Sequence, residues 1–376
     1  MVTDKKNQHY VPKFYLRNFS FEDNKKQIGL FNLENEFYIK RAKLKTQASK
    51  NFFYGRDGVI EDQLANIEGD LSNTIKHIVE ESSLPKRYSQ GHSKLLSFAV
   101  LTDLRNPTRL KQNQQMANEI LKFFPSNEKS NNIKNTAPLF SPEAMIEMSL
   151  KSVPNLINDI KDLNYKLLIN ETMIPFITSD YPVVRYNQFL EEREHPPSNT
   201  GYGSVGLQIF IPLNGHITLV LYDENIYKIG NKKQNTVVLT QEKDVDQLNI
   251  LQFVNCFSTI YFNHQADENY INYLFKKSKK YERANDVLFS SGRLINGQHE
   301  ISSSYANEED NLLIYNDKDC EINLNLTVMK VHSKGKKYKM VDSVVQTRRH
   351  VINQKSDKTY LAQHILGNKK ERTHYR

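Results

Sequence analysis

The 376-residue sequence has no tryptophan and only two cysteines, Cys256 and Cys320. Two distant cysteines cannot form a disulfide framework, and neither belongs to a Cys/His cluster with zinc-ligand spacing. No apolar run approaches the roughly 18 residues that a membrane span needs, and the first residues lack the apolar stretch of a signal peptide. We therefore expect no structural zinc site and no contact with a membrane, and a cytoplasmic location.

The strong catalytic signatures are also missing. The sequence has no GxxxxGK[ST], no GxGxxG that follows a strand, no HExxH and no GxSxG, so it gives no sign of an organic cofactor. What it does have is a modest excess of positive charge. Fifty-one Lys and Arg residues stand against 43 Asp and Glu, a formal charge of +8. This balance favours a polyanionic partner such as nucleic acid, DNA or RNA, without requiring one.

Hydrophobic periodicity predicts a mixed α+β fold of helices and antiparallel strands. Apolar residues recur every three or four positions, as in helices, over residues 59–81, 93–122 with an interruption at Pro107, 143–152, 242–256 and 270–280. Extended or hairpin patterns occur over residues 28–39, 165–169, 175–178, 207–222, 259–262 and 311–328. The Asn214-Gly215 pair between two apolar runs is the strongest of the hairpin signals.

A change of pattern near residue 300 predicts two regions. Residues 1–300 form a core domain, and residues 301–376 form a β-rich C-terminal extension that ends in a basic tail. Within the core, an N-terminal extended segment is followed by helices over 59–122, strands and a hairpin over 165–222, and helices over 242–280. Residues 125–142 contain three prolines and indicate a loop or linker.

The N-terminal segment is the most distinctive feature of the sequence. His9 precedes Tyr10 and an aromatic run that ends near Arg17. A histidine titrates near neutrality and can act as a general base or a metal ligand, and an arginine offers a planar fork to a phosphate. The same run is equally typical of an apolar anchor in which Tyr10 and its neighbours pack inside.

Two further groups of polar residues lie on the predicted helices. Glu61 and Glu68 are seven residues apart, so both project from one side of a helix, as a pair of carboxylates that binds a cation would. A solvated acidic face gives the same spacing. Arg105 and Arg109 flank a proline, an arrangement that suits either an anion site or an ordinary corner between two helices.

The run Thr178-Ser179-Asp180 ends a predicted strand and precedes Tyr181-Pro182. Loops at strand ends often carry functional groups, so Asp180 is a candidate metal ligand, a base, or the partner that orients His9. The same run is also a good turn in which the side chains bond to nearby backbone. Asn249 and Asn255 are weaker candidates for the same pocket.

These motifs together resemble the signature of a bacterial family catalogued as domain of unknown function 4238. The resemblance rests on His9 to Phe19, Asn51 to Tyr54, the helix with Glu61 and Glu68, Arg105 to Arg109, and Ile177 to Pro182. It spans roughly residues 8–265 and departs from the family pattern at Tyr181. It implies a prokaryotic setting and an accessory, mobile-element or host-defence gene, with antiviral defence among the roles, and it implies no specific chemistry.

Three hypotheses of function follow. The first is a nucleic-acid-directed hydrolase, similar to a nuclease, with Mg²⁺ or Mn²⁺ as the metal. Its catalytic residues are His9, Glu68 and Asp180, its substrate-binding residues are Tyr10, Arg17, Arg105, Arg109, Thr178 and Ser179, and its metal ligands are Glu61, Glu68 and Asp180. The second is a non-catalytic module that binds nucleic acid or protein, or acts as a sensor, with these polar motifs as a structural ion-pair network. The third is an enzyme that acts on a small molecule.

Overall fold

The chain combines helices with small β-sheets, which confirms the predicted α+β class. The structure is a computed structural model that describes residues 6–122, 141–194, 199–284, 287–295, 298–301, 312–336 and residue 349. The predicted basic tail and nearly all of the predicted linker over 125–142 lie outside these residues. The helices are α1 Lys13–Leu16, α2 Val59–Glu81, α3 Gln90–Leu104, α4 Pro107–Lys122, α5 Pro142–Ile160, α6 Gln188–Glu191, α7 Glu242–Asn255, α8 Glu268–Ser278 and α9 Ser333–Lys336.

The strands of the described residues fall into five sheets. In chain order they are β1 Asn7–His9, β2 Gln27–Asn32, β3 Phe37–Lys43, β4 Ser49–Asn51, β5 Asn164–Asn170, β6 Thr178–Ser179, β7 Val184–Tyr186, β8 Gln208–Pro212, β9 Ile217–Tyr222, β10 Tyr227–Ile229, β11 Thr236–Leu239, β12 Thr259–Phe262, β13 Val287–Ile295, β14 Gln298–Ile301, β15 Leu312–Asp317 and β16 Met329–Val331. The two main sheets have the strand orders β11-β5-β9-β8-β7 and β3-β2-β12-β6, and the smaller ones are β1-β4, β10-β16 and β14-β13-β15. Among the described strands, β11 and β5 pair in parallel and the other pairs are antiparallel.

The clearest sequence patterns produce the elements that they predict. The apolar stripe of α2 is buried, and the helix covers the predicted residues 59–81. The turn between β8 and β9 is stabilised by Asn214, whose Oδ1 accepts hydrogen bonds from the backbone N–H of His216 at 2.8 Å and of Ile217 at 2.7 Å. The hairpin signal is thus confirmed, because asparagine bonds readily to the backbone two residues further on.

Helix α5 is longer than its sequence pattern predicts. The pattern indicates a helix over 143–152, but α5 continues to Ile160 through Pro154. A proline inside a helix removes one backbone donor. The helix nevertheless continues because Val153, Ile157 and Ile160 are buried, and burying apolar side chains of this size contributes about 1.5–3 kcal/mol each.

Residues 322–328 are not the strand that their alternating pattern predicts. Ile322, Leu324 and Leu326 are buried, as the alternation requires, but the segment forms no strand ladder. Its backbone N–H groups donate to side chains instead: Tyr186 accepts from residues 322 and 324, and Glu191, Gln247 and Asp244 accept from residues 323, 325 and 327. The strand prediction is wrong here, because alternating burial does not require a neighbouring strand.

In the described part of the chain the core consists of two hydrophobic clusters. One lies among the N-terminal segment, α2, α3 and α5, and reaches one face of the five-stranded sheet. The other surrounds α7 and α8 on the opposite face, and it includes Cys320 to Met329 from the region beyond residue 300. No helix among the described residues is long and apolar enough to cross a lipid bilayer.

The Tyr186 hydroxyl links this later segment to the large sheet, so its removal should weaken the fold. Tyr186→Phe deletes the acceptor for Leu324 N, at 2.9 Å, and the hydrogen bond that the hydroxyl donates to Glu191. We expect the free energy of unfolding to fall by about 1–3 kcal/mol, the cost of unpaired buried polar groups. Equilibrium unfolding in urea measures this change.

Tyr273→Phe is the matched control, because the Tyr273 hydroxyl also bonds to a carboxylate, that of Asp246, but at an exposed position. This control should change the stability by less than about 0.5 kcal/mol. Equal effects of the two substitutions would show that residues 322–326 are not held through Tyr186.

Candidate functional site

His9 ends strand β1 and lies against the backbone of the segment around Lys45. Its Nε2 is 3.1 Å from the carbonyl oxygen of Lys45, and a nitrogen facing a carbonyl must carry the proton and donate it. Burial lowers the pKa of His9 to about 4, with a further lowering by the charge of Lys13. The ring is therefore neutral near pH 7. The next residue, Tyr10, is buried on Phe53, and Arg17 is exposed.

Glu68 and Arg105 form a short ion pair beside His9. Arg105 Nη1 donates to Glu68 Oε1 at 2.6 Å; the arginine side chain is 2% exposed and the glutamate side chain 29%. The charge of Glu68 raises the pKa of His9 and the charge of Arg105 lowers it, both by less than burial does. Burial raises the pKa of Tyr54, on which the same two charges also act. The Tyr54 hydroxyl donates to the His9 carbonyl at 3.1 Å. Burial opposes the charge of Arg105, but the negative charges of Glu68 and of Glu61, in the first turn of α2, raise the pKa of Arg105 above its usual value.

The corner between α3 and α4 is fixed by Asn106. Its Oδ1 accepts from Thr108 N at 2.9 Å, which caps the start of α4, and its Nδ2 donates to the carbonyl oxygen of Asp180 at 2.6 Å. Pro107 opens α4, a position where its missing N–H costs nothing. The structure therefore uses this motif to join two helices to the turn at Asp180.

Thr178 and Ser179 are fully buried and bonded inside the protein. Thr178 Oγ1 and the Tyr15 hydroxyl are 2.6 Å apart, and Tyr15 also donates to the carbonyl of Pro212. Ser179 Oγ donates to Gln252 Oε1 at 2.8 Å. Both hydroxyls thus connect the strand β6 to neighbouring elements.

Asp180 is fully buried, and its carboxylate holds the chain just after α7. The oxygens accept hydrogen bonds from the backbone N–H groups of Phe257, Ser258 and Thr259 at 2.7–2.9 Å, and from the Ser258 hydroxyl at 3.0 Å. Burial raises the pKa of Asp180 to about 6, and these four donors oppose the rise because they favour the charged form. The carboxylate is therefore ionised near pH 7 and fixes the entry into β12.

Three amide side chains of α7 bind the same turn from the other side. Asn249 Oδ1 accepts from Ile177 N at 3.0 Å, Gln252 Nε2 donates to Pro182 O at 3.1 Å, and Asn255 Nδ2 donates to Tyr181 O at 2.8 Å. Residues three apart in a helix share a face, so the three amides form one row. The sequence indicated Asn249 and Asn255 as weaker candidates for the same pocket as Asp180, and it gave no indication of Gln252.

A second buried network, centred on Asp103, was not predicted. Tyr181 donates to Asp103 Oδ1 at 2.5 Å, and the Tyr202 hydroxyl donates to Oδ2. Arg109 Nη2 and Arg185 Nε are each 3.6 Å from the same Oδ2. The available sequence signal was an aspartate, Asp103, inside the apolar run of α3. Asp103 is fully buried in the structure, and a buried charge requires partners. Tyr181, the residue at which the sequence departs from the family pattern, is one of these partners.

The structure thus brings the predicted residues together in separate groups. His9, Glu68 and Arg105 form one group, Arg109 belongs to the Asp103 network, and Asp180 with Thr178 and Ser179 forms the turn. Asp180 bonds to residues 257–259 and His9 to Lys45, so Asp180 does not orient His9. Among the described residues, no group of three or more His, Cys, Asp or Glu side chains is placed to hold a metal ion.

Comparison with known proteins gives one match. A family model described as "Protein of unknown function (DUF4238)" matches residues 7–266, which is more than half of the chain. This confirms the resemblance inferred from the motifs. Comparisons with curated proteins and with solved structures found no match.

The lowered pKa of His9 predicts a dependence of stability on pH. As the pH falls from 6.5 towards 4, the unfolded chain takes up a proton at His9 and the folded protein does not, so acid favours unfolding. In His9→Gln this uptake of a proton on unfolding is absent. We expect the stability advantage of the wild type over His9→Gln to shrink by roughly 1–2 kcal/mol across this window, after allowance for solvent near the ring.

Urea unfolding at several pH values measures this difference, and comparison with a variant cancels the other titrating groups. His77→Gln, at an exposed position on α2, controls for the loss of a surface imidazole. A constant difference between wild type and His9→Gln from pH 4 to 6.5 would contradict the placement of His9 as a buried neutral donor.

Proposed function

The chain belongs to the DUF4238 family of proteins of unknown function, and from this premise we propose that it is a nucleic-acid-binding protein. In this proposal the polar motifs of the family are a buried framework, and the phosphate backbone of DNA or RNA is bound by exposed cations of the N-terminal region. A role in host defence or on a mobile element agrees with such a ligand and stays a prediction.

The observation that carries the proposal is the charge of residues 37–56. This stretch contains six Lys and Arg residues and no Asp or Glu. All six are exposed: Lys40, Arg41, Lys43, Lys45, Lys50 and Arg56. A run of exposed cations binds phosphate groups and releases their counterions, which drives association with nucleic acid.

These cations lie on backbone segments that are bonded to one another. Strand β4 pairs with β1, which places Lys50 opposite Gln8, and the carbonyl of Lys45 faces His9. Strand β3, which carries Lys40 to Lys43, is an edge strand of its sheet. We call Lys40, Arg41, Lys43, Lys45 and Lys50 the N-terminal basic surface.

Aromatic rings accompany the basic surface. The guanidinium of Arg41 lies 4.1 Å from the centre of the Phe21 ring, and Lys50 Nζ lies 5.0 Å from that of Phe257. Phe37, at the start of β3, is 41% exposed. Of these three rings Phe37 is the exposed one, since Phe21 is buried and Phe257 is partly buried. An exposed ring beside cations supports single-stranded nucleic acid as the ligand, because bases stack on such rings.

Removal of four cations from this surface tests the proposal. In a variant with Lys40, Arg41, Lys43 and Lys45 replaced by Gln, we expect binding of a labelled single-stranded oligonucleotide to weaken at least about tenfold at low salt. The salt dependence of the affinity should also become less steep, by roughly one unit of slope for each phosphate that the variant no longer binds. Fluorescence anisotropy over a series of salt concentrations measures both quantities.

The matched control replaces Lys76, Lys151, Lys228 and Lys330 by Gln, four exposed lysines on other elements. It changes the net charge by the same amount and should retain nearly all of the affinity. The proposal fails if the wild type shows no salt-dependent binding, or if both variants lose affinity equally, since that would reflect net charge alone.

A second candidate, hydrolysis of phosphodiester bonds, is favoured by the group of His9, Glu68 and Arg105. This group combines an imidazole, a partly exposed carboxylate and a guanidinium, the side chains that acid–base catalysis on a phosphate uses. Glu61 and Glu68 are the carboxylates that remain for Mg²⁺ or Mn²⁺, because four donors occupy the oxygens of Asp180.

Incubation of DNA and of RNA with the protein and either metal ion tests this second candidate. If it is correct, His9→Ala and Glu68→Gln should each reduce cleavage by roughly a hundredfold or more, while thermal melting shows that both variants remain folded. Cleavage at equal rates by the wild type and both variants would indicate a contaminating nuclease. Binding without cleavage would reject the second candidate and leave the first standing.

A further inference from the structure

A second group of exposed cations lies at the C-terminal end of helix α8. Residues 269–281 contain four lysines and no Asp or Glu. All four are exposed, and we call them the α8 lysine cluster: Lys276, Lys277, Lys279 and Lys280. Cations near the C-terminus of a helix stabilise it, but like charges three and four residues apart repel one another. A bound polyanion removes this repulsion.

The acidic residues near the cluster leave most of its charge exposed. Among the described residues, Lys279 Nζ pairs with Glu36 Oε1 at 3.0 Å, and both side chains are more than half exposed. Glu282, which follows the cluster in sequence, pairs with Lys318 at 2.6 Å. An exposed ion pair contributes at most about 1 kcal/mol, so a phosphate group can replace Glu36 at little cost.

The α8 lysine cluster adjoins the N-terminal basic surface at the hairpin between β2 and β3. Glu36, the partner of Lys279, immediately precedes β3 and its exposed first residue, Phe37. The rings of Phe31 in β2 and Phe275 in α8 are 4.9 Å apart between centres, which packs the helix against the sheet that contains β3. The cluster therefore lies next to the start of the cationic edge strand.

Phe257 provides a second connection between the two groups of cations. Lys50 Nζ, from the N-terminal basic surface, lies 5.0 Å from the centre of the Phe257 ring. Arg283, three residues after Lys280, donates to the Phe257 carbonyl oxygen at 3.0 Å. The segment that follows the α8 lysine cluster thus contacts the same residue as Lys50. One ligand can consequently contact both groups.

Aromatic rings accompany the cations of α8 as well. Lys277 Nζ lies 5.1 Å from the centre of the Tyr273 ring, which is exposed. Lys280 Nζ lies 4.7 Å from the centre of the Tyr281 ring, which is partly exposed. With Phe37 on β3, each group of cations has an accessible ring beside it. Unpaired bases stack on such rings, so the ligand that fits both groups is a single strand.

The dimensions of the two groups set the length of strand that contacts both. From Phe37 to Lys43, β3 extends over about 20 Å at about 3.3 Å per residue. The α8 lysine cluster adds about 6 Å at about 1.5 Å per residue. At the roughly 3.4 Å spacing of nucleotides in one stacked strand, the sum corresponds to about eight nucleotides. A strand of about six nucleotides fits along β3 alone, and a longer strand is required to reach α8.

We propose that the α8 lysine cluster and the N-terminal basic surface together bind one continuous strand of single-stranded nucleic acid, with a length of at least about eight nucleotides. This extended site rests on the proposed function and adds the form and the minimum length of its ligand. Because the first contact holds the strand near the second, the two groups of cations reinforce each other.

Fluorescence anisotropy with labelled single strands of about 6 and about 20 nucleotides tests the extended site. In a variant with all four lysines of the α8 lysine cluster replaced by Gln, we expect the longer strand to bind at least about tenfold more weakly than to the wild type. The affinity for the shorter strand should fall by no more than about twofold, because the N-terminal basic surface still binds a strand of that length. Thermal melting shows whether the variant is folded.

Two control variants separate the position of the charge from its amount. Replacement of the same four lysines by Arg keeps the charge and should keep the affinity for both strands. Replacement of four exposed lysines on other elements by Gln removes the same charge and should leave the affinity for the longer strand nearly unchanged: Lys76, Lys151, Lys228 and Lys330.

The extended site and the proposed function can fail separately. If the wild type binds both strands but the Gln variant of the α8 lysine cluster binds the longer one as tightly, the extended site is overturned and the N-terminal basic surface stands. Equal weakening of both strands by that variant also overturns it, since the longer strand then gains nothing from α8. If the wild type binds neither strand, the proposed function fails, and the extended site fails with it.

Discussion

Side chains of helix α7 form hydrogen bonds with the backbone of two irregular segments that cross the protein interior. The rest of the structure depends on these hydrogen bonds. Residues 175–183 contain only the two-residue strand β6, and a buried peptide group left unpaired costs about 1–3 kcal/mol. The row of Asn249, Gln252 and Asn255 binds this backbone from one side of α7. Asp180 then binds the three peptide groups that follow the helix. The turn and the helix therefore hold each other in place.

The same helix holds the segment beyond the family match in the same way. Asp244 and Gln247 accept hydrogen bonds from the backbone of residues 327 and 325, so α7 binds an irregular chain at its start as well as along its length. Arg349, also beyond the match, donates to Asp162 at 2.9 Å and to the carbonyls of Tyr202 and Ser204 at 2.7 Å. These contacts attach described parts of the C-terminal region to the matched region, next to the loop that supplies Tyr202 to Asp103.

Charge is distributed differently inside the protein and on its surface. The buried cation Arg105 is paired with Glu68, and the arginines near Asp103 share its carboxylate, as burial of charge requires. On the surface, residues 37–56 carry cations without a carboxylate in the same stretch. This difference underlies the proposal that the motifs form the framework and that exposed cations bind the ligand.

The sequence by itself determined the α+β class, most helices and the hairpins, because periodicity and turn residues such as Asn214 act over a few neighbouring positions. It also identified the polar motifs, but not their partners. That Asp180 binds residues 257–259, that Asp103 gathers Tyr181, Tyr202 and two arginines, and that residues 322–328 bond to side chains were decided by the tertiary structure. Each of these contacts joins positions far apart in the chain, and local patterns contain no information about which distant donor meets which buried acceptor.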